Sequence, residues 1–204
     1  MNIKRQKFQS GFTLIELVVT VSVLAILLVI AIPSFNEFRD RAALRGAADQ
    51  VVGFWGDARF EALRRNQFVK VGFMTDATNG MCIGAATTTS KTDDTPCDCF
   101  TANGCDITHY PAAGLTGQQE WRNVSNNGLP TLGDTDSDAN GVVVIDPKRG
   151  NIAQASDVGD ILLKGPAGEN DYQLNIKIDR NGRAFVCEPA AAGDKLPQYI
   201  NRRC

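Results

Sequence analysis

The chain has almost none of the side chains that enzymes use to move protons or hold metals: its 204 residues include a single histidine, His109. It contains no G-x-S-x-G turn and no phosphate-cradling glycine loop, and its carboxylates are scattered through turn-like stretches, so no catalytic constellation is predicted. No enzyme activity and no cofactor is expected. An excess of one charge is also missing, with 21 Lys and Arg against 23 Asp and Glu, which excludes a basic nucleic-acid coat and an acidic disordered tail. Charge is nearly absent from one long stretch, since residues 12–36 hold only Glu16. The 43% hydrophobic content is ordinary for a globular chain, but much of it sits in that run, which leaves the remainder more polar than the mean. The length suits one domain of ordinary size plus an additional element, and a wholly soluble cytosolic protein is already disfavoured.

The charges are segregated along the chain. Residues 1–11 carry Lys4, Arg5 and Lys7 with no acid, whereas residues 67–204 hold 17 acids against 12 bases. Between them the run FTLIELVVTVSVLAILLVIAI is predicted to form a helix whose length matches a bilayer core, for which about 20 apolar residues suffice. Three cations before the run place residues 1–11 on the cytoplasmic side and the rest of the chain outside. The run is too long for a cleaved secretory signal, and the small residues Ser10 and Gly11 precede it instead of following it. Glu16 is the anomaly, because a carboxylate at the centre of a span costs roughly 2.5–3.5 kcal/mol. One reading is an acid near the interface that snorkels to water. The other requires a cation, and cutting the chain before Phe12 would create an α-amino group four residues away, on the same helix or on a neighbour.

The stretch Gly11-Phe12-Thr13-Leu14-Ile15-Glu16, after a basic leader and before an apolar helix, resembles the class III signal of type IV pilins and type II secretion pseudopilins. The resemblance implies cleavage between Gly11 and Phe12 by a prepilin peptidase, N-methylation of Phe12, and extraction of the helix from membrane lipid into a filament core. It further implies that Glu16 pairs with the amino terminus of an adjacent subunit. Pro33 also fits the family pattern; physically it removes one helix hydrogen bond, so a bend or local melting is expected there.

Beyond Pro33 the period changes. Leu44, Ala48, Val51, Trp55, Ala58 and Ala62 fall at alternating spacings of four and three, the stripe of an amphipathic helix predicted to end at about residue 65 and to bury that stripe against a sheet. From residue 12 such a helix is about 80 Å long. Its other face interleaves Arg39, Arg41, Arg45, Asp49, Asp57, Arg59, Glu61, Arg64 and Arg65, which suits a solvated face or subunit contacts. The stretch Asp57-Ala58-Arg59-Phe60-Glu61-Ala62-Leu63-Arg64-Arg65-Asn66-Gln67 is similar to the helix end of GspH/FimT-type minor pilins, and the resemblance covers residues 1–73 clearly and the remainder in patches. It implies the α+β type IV pilin fold, a long N-terminal helix packed on a C-terminal antiparallel β-domain. The organisation expected is a leader peptide at 1–11, a transmembrane or filament-core helix at 12–33, an amphipathic helix at 34–66 and an exported disulfide-containing β-domain at 67–204.

In that domain, strands are predicted at 68–73, 81–84, 120–122, 141–145, 172–178 and 183–187, with a hairpin turn at Asp179-Arg180-Asn181-Gly182. Residues 87–95 and 151–168 are polar and turn-rich and read as surface loops. All six cysteines, Cys82, Cys97, Cys99, Cys105, Cys187 and Cys204, lie on the exported side, where an even number favours disulfides. Four are central and two C-terminal, which favours a Cys187–Cys204 pair with a chain-entropy gain of roughly 3 kcal/mol. Its loop also resembles the disulfide-bounded C-terminal region of pilins. Cys97 and Cys99 are expected to take different partners among Cys82 and Cys105. A zinc site from Cys97, Cys99, Cys105 and His109 is the competing reading, disfavoured by the lack of a C-x-x-C pair, and no metal is expected. Asp136-Ser137-Asp138-Ala139-Asn140-Gly141 begins like a calcium loop, but Pro147 stands where a bidentate Glu is required, so an Asx-rich turn fits better.

The resemblance implies a minor pilin in the tip or priming complex of a type IV pilus, with roles in pilus biogenesis, twitching, adhesion or DNA uptake. Its implied partners are other major and minor pilins, the prepilin peptidase and the inner-membrane assembly platform. It would be a single-pass inner-membrane protein with a periplasmic domain, later at the cell surface in the pilus. A minor pseudopilin of type II secretion is the alternative. A DNA-binding competence pilin is the third reading, since FimT-like pilins carry a G-R-x-R stretch. Here Gly182-Arg183-Ala184-Phe185 lacks the second arginine, and Arg202 and Arg203 are expected near Arg183 if Cys187–Cys204 forms.

Overall fold

The computed structural model describes residues 12–76, 80–112, 121, 124–126, 141–154, 159–165, 172–189, 196, 199, 202 and 204, without the side chains of 30–34, 125 and 126. The chain divides into two compact units, Met1–Arg39 and Asp40–Cys204. Its elements are α1 (Leu14–Arg65), β1 (Phe68–Asp76), β2 (Gly80–Thr88), β3 (Thr108–Tyr110), β4 (Ser125–Asn126), β5 (Val142–Ile145), β6 (Gly159–Lys164), β7 (Gln173–Ile178) and β8 (Ala184–Cys187). This is an α+β arrangement of one long helix and antiparallel sheets.

In the first unit α1 begins at a defined cap. Thr13 Oγ1 accepts the Glu16 main-chain N–H at 3.3 Å, and the Thr13 carbonyl accepts Leu17 N–H at 3.2 Å. A threonine three residues before a glutamate is the sequence pattern of a capping box. The helix then runs through position 33 without interruption. The local melting anticipated at Pro33 therefore does not occur: the ring removes one bond from the ladder, and the turns on either side keep theirs.

In the second unit the stripe read from the sequence is the buried face of α1. Leu44, Ala48, Ala58 and Ala62 are fully buried, and Val51 and Trp55 nearly so, joined by Ala47 and Phe54. They share one core with Val69, Val71, Phe73, Met81, Ile83 and Ala85 of β1 and β2 and with Ile161, Leu163, Leu174, Ile176 and Ile178 of β6 and β7. The helix ends where a side chain that tolerates positive φ follows it: Asn66 has φ 51°, and Gln67 N–H reaches back to the Ala62 carbonyl at 3.3 Å, a Schellman closure.

One sheet has the order β3-β2-β1-β5 and the other β4-β6-β7-β8. Strands β1 and β2 pair antiparallel from Phe68↔Thr88 to Asp76↔Gly80. Because side chains alternate along a strand, Val71, Phe73, Ile83 and Ala85 face the helix, while Gly72, Met74, Cys82, Gly84 and Ala86 face the other way. A second, smaller core of Cys82, Ala86, Cys97, Cys99 and Cys105 covers that outer face. Gly72 and Gly84 are direct cross-strand partners. A Cβ on Gly72 would lie 2.8 Å from Pro96 Cβ, and one on Gly84 would lie 2.7 Å from Cys97 Sγ and run into Cys105 Sγ. The cysteine-bearing segment rests directly on these two backbones.

Three strand expectations need correction. Of the strand expected at 120–122 only Trp121 is described, and it lies in a turn; 120 and 122 fall outside the described residues. Its indole donates to Gln50 Oε1 at 2.6 Å and stacks on Tyr110 with centroids 5.4 Å apart. It serves the core as an anchored side chain, not through strand pairing. The expected loop at 151–168 contains β6, whose Ile161 and Leu163 are fully buried, because it pairs with β7 along its whole length. Strands β3 and β4 were not predicted, and β2 extends past the predicted end to Thr88. The turn at 179–182 is present, closed by Gly182 N–H to the Asp179 carbonyl at 2.9 Å.

Candidate functional site

The N-terminal part of α1 lacks the packing that the second half has. Leu14, Ile15, Leu17, Val18, Val19, Val21, Val23, Leu24, Ile26, Leu27, Leu28 and Val29 are all exposed, and Phe12 before them is 86% exposed. The polar side chains in this stretch are of two kinds. Thr20 Oγ1 donates to the Leu17 carbonyl at 2.8 Å, and Ser22 Oγ to the Val18 carbonyl at 2.7 Å, so both hydroxyls are satisfied by their own helix. Such hydroxyls can enter an apolar environment at little cost. The Glu16 carboxylate has no partner among the described residues; the bond at that position is made by its main-chain N–H. A carboxylate at the third helical position faces the positive end of the helix dipole, a partial compensation that does not replace a counter-charge.

Of the other predicted assembly positions, Gly11 lies outside the described residues, and Pro33 is described only through its main chain. Among the described residues no helix is long and apolar enough to cross a membrane. The described side chains of the apolar run stop at Val29, short of the about 20 residues a span needs, so the span expected over 12–33 is not shown.

The six cysteines form three pairs: Cys82–Cys99, Cys97–Cys105 and Cys187–Cys204, with Cα separations of 5.9, 5.3 and 5.3 Å. Cys97 and Cys99 thus have different partners. The Cys/His zinc reading loses its three sulfur ligands, which are all consumed in disulfides. His109 sits in β3 opposite Gly84. Of the calcium-like stretch, 136–140 lie outside the described residues, and Gly141 adopts φ 64° at the entry to β5.

The C-terminal pair closes a loop that Glu188 organises. Glu188 is 1% exposed. Its main-chain N–H donates to the Arg202 carbonyl at 3.0 Å, its carbonyl accepts Cys204 N–H at 3.2 Å, and its Oε1 accepts Leu196 N–H at 3.1 Å. Tyr199, in the same loop, has its hydroxyl pKa pushed up, first by burial and then by the Asp49 carboxylate, with Arg45 and Arg202 opposing. Tyr199 therefore lies beside α1 at Arg45 and Asp49.

This geometry separates the cations expected to cluster. Arg183 stands just before β8, whereas the Arg202 main chain bonds to Glu188 beyond the other end of that strand. At about 3.3 Å per residue, positions 183 and 188 are roughly 16 Å apart. Arg202 is placed by the disulfide at the wrong end of β8 to join Arg183, and Arg203 lies outside the described residues.

With the helix geometry in view, the N-terminal sequence can be assigned. Residues 6–32 match the prokaryotic N-terminal methylation motif. The chain carries a type IV pilin-like prepilin signal. This signal supports a type IV pilin-like or pseudopilin protein, its N-methylation, its association with a membrane or pilus, and in general its interaction with other pilins and with prepilin peptidase. The matched segment ends before the second half of α1 and includes none of the β-domain. No curated protein and no solved structure matches the chain significantly.

Proposed function

We propose that the chain is a minor pilin of the GspH/FimT type that enters a type IV pilus, in its tip or priming complex, through its N-terminal helix. The observation that carries this reading is one helix start with three properties: the methylation motif over 6–32, an apolar surface exposed all round, and a Glu16 carboxylate with no counter-charge among the described residues. Cleavage between Gly11 and Phe12 supplies the amine that a neighbouring Glu16 needs, and the pair sets the axial register of adjacent helices. Before assembly the segment 12–33 resides in the inner membrane with the β-domain on the periplasmic side. The three disulfides suit that oxidising compartment. The finer family assignment is supported by the stretch from Ala58 to Asn66 that closes α1.

The same helix fits a minor pseudopilin of type II secretion. Deleting the gene and scoring surface pili and twitching against export of secreted enzymes separates the two; loss of export with intact pili would overturn the pilus assignment. The DNA-uptake reading has less support, because Arg183 and Arg202 are held apart by β8. Mass spectrometry of the chain from membranes tests the core of the proposal. An N-terminus at methylated Phe12 is expected, and a mature chain still beginning at Met1 in cells with the peptidase would refute it.

A further inference from the structure

The domain as a whole is acidic, yet one end of it gathers cations. Two turns dock on each other where α1 finishes. The first, after β5, is closed by Gly150 N–H to the Asp146 carbonyl at 2.9 Å, and the second is the Asp179–Gly182 turn between β7 and β8. Ile152 N–H donates to the Arg180 carbonyl at 3.3 Å, and Trp55 Nε1 of α1 donates to the Gly182 carbonyl at 3.0 Å. Gly182 packs on the Gly150 carbonyl, and Gly150 in turn leaves room for Arg59: a Cβ there would lie 2.7 Å from Arg59 Nε and 3.4 Å from Leu63 Cδ1. Both glycines have positive φ, 71° and 64°, so a side chain at either is disfavoured by conformation as well as by space.

This junction brings Arg59, Lys148, Arg149, Arg180 and Arg183 to one end of the domain. Among the described residues none of the five is in an ion pair, unlike Arg64, Arg65, Lys70 and Lys177. Arg59 Nε is buried without a hydrogen-bond partner. The acids within the turns are occupied: Asp146 Oδ1 accepts Lys148 N–H at 2.7 Å and Asp179 Oδ1 accepts Arg183 N–H at 2.9 Å. Complementing the helix dipole accounts for cations on the last turn of α1 and not for those on two separate loops. Beside them α1 exposes Phe60 (62%) and Leu63 (43%).

We propose that this end is a docking surface for an acidic protein face that carries exposed apolar side chains. Arg59, Lys148, Arg149, Arg180 and Arg183 supply charge complementarity, and Phe60 and Leu63 supply the apolar contact. An aromatic flanked by arginines is the composition of an interface core. Nucleic acid would use the cations and leave the apolar pair idle, and the residues from 67 onward, with 17 acids against 12 bases, repel a polyanion at longer range. The surface goes beyond filament entry through the N-terminal helix and does not depend on how that helix is processed.

The test uses the full chain in detergent and fluorescence anisotropy at low and moderate salt. Three probes are compared: a labelled 16-residue peptide of Asp and Glu interspersed with Leu and Phe, the same peptide with Ser at the apolar positions, and a single-stranded DNA 16-mer. Tightest binding to the first peptide is expected. K148E/R149E should weaken it at least about tenfold and F60A about fivefold, while R202E at the other end of β8 leaves it unchanged. Equal thermal midpoints of the variants establish that the fold is intact. No binding of the first peptide, tighter binding of DNA, equal binding of the Ser-substituted peptide, or insensitivity to either substitution would overturn the proposal. None of these outcomes bears on N-terminal cleavage, so failure here is distinct from failure of the pilin assignment.

Discussion

The two halves of α1 are one continuous helix built on opposite physical plans. From Leu14 to Val29 every described side chain faces solvent, and the hydroxyls of Thr20 and Ser22 turn back onto their own carbonyls. From Leu44 to Ala62 an apolar residue is buried every three or four positions, and charges occupy the remaining face. Both halves need apolar partners. The second finds them within the chain, so its interactions appear as folding stability, whereas the first has none among the described residues, and in the function proposed above its partners are other subunits. Substitutions in the two halves should accordingly be visible in different experiments.

The largest contrast is expected at Glu16. Two roles compete there, one as the acid of the Thr13 cap and one as the counter-charge for a subunit amine. Glutamine can fill the first but not the second, since a capping box accepts Glu or Gln. Glu16→Gln should leave helix content by circular dichroism unchanged and reduce sheared surface filaments, or the secretion output if the system is type II, by about a hundredfold or more, the scale of one broken buried charge pair. Full assembly by this variant would reduce Glu16 to a capping residue.

On the buried face of the second half the effect is on stability. Trp55 is 2% exposed, and its indole also satisfies the Gly182 carbonyl at 3.0 Å. Trp55→Ala should cost about 3–5 kcal/mol in denaturant unfolding of the detergent-solubilised chain. Replacing Cys187 and Cys204 together by Ser should cost roughly 3 kcal/mol by the loop-entropy argument, with Glu188 left to hold the tail through its hydrogen bonds. Gly84→Ala should cost about 1–3 kcal/mol, because the added methyl meets the sulfurs of Cys97 and Cys105 on a face that is already packed. If Gly84→Ala proves neutral, the cysteine segment is free to lift from the sheet and the outer core is not a packed layer.

How much of this was legible beforehand depended on whether the signal was local. The α1 stripe repeats with helical period over five turns, and the alternation of Leu174, Ile176 and Ile178 marks β7 directly. Strand β6 was hidden because its three consecutive apolar residues, Ile161, Leu162 and Leu163, show no alternation between Gly159-Asp160 and Lys164, and which of them is buried is decided by pairing with β7. Trp121 misled because a lone aromatic between Glu120 and Arg122 resembles the inward position of a short strand, whereas its indole hydrogen bond to Gln50 joins it to a residue far away in sequence. The Gly72–Gly84 platform exists only once register is known. Arg202 was expected beside Arg183 because a disulfide joins chain segments; which end of β8 carries Cys187 decides the matter, and it is the far end. The basic end of the domain draws its cations from α1 and two loops, so no window of sequence contains it.

The smallest expected effect lies where α1 leaves its buried stripe and turns into β1. Glu61 accepts from Arg64 Nη2 at 2.7 Å and from Arg65 Nε at 2.7 Å, and these two guanidinium hydrogen bonds hold its carboxyl down to about 2 from an ordinary value of 4.5. The helix dipole would act in the opposite direction, since a carboxylate near a helix C-terminus faces the negative end. Desolvation of the carboxyl also acts upward, and the two arginines outweigh it. A lowered folded-state pKa means that the contribution is complete above about 4.5 and is lost as pH falls through 2. Carbon-detected NMR titration should place the Glu61 midpoint near the lower value in the parent chain and return it to the ordinary range in R64A/R65A. High salt should move it only part of the way, because hydrogen bonds to the guanidinium groups survive screening that weakens the Coulomb attraction. A midpoint unchanged in R64A/R65A would assign the shift to some other group and remove this pair as the clasp at the end of α1.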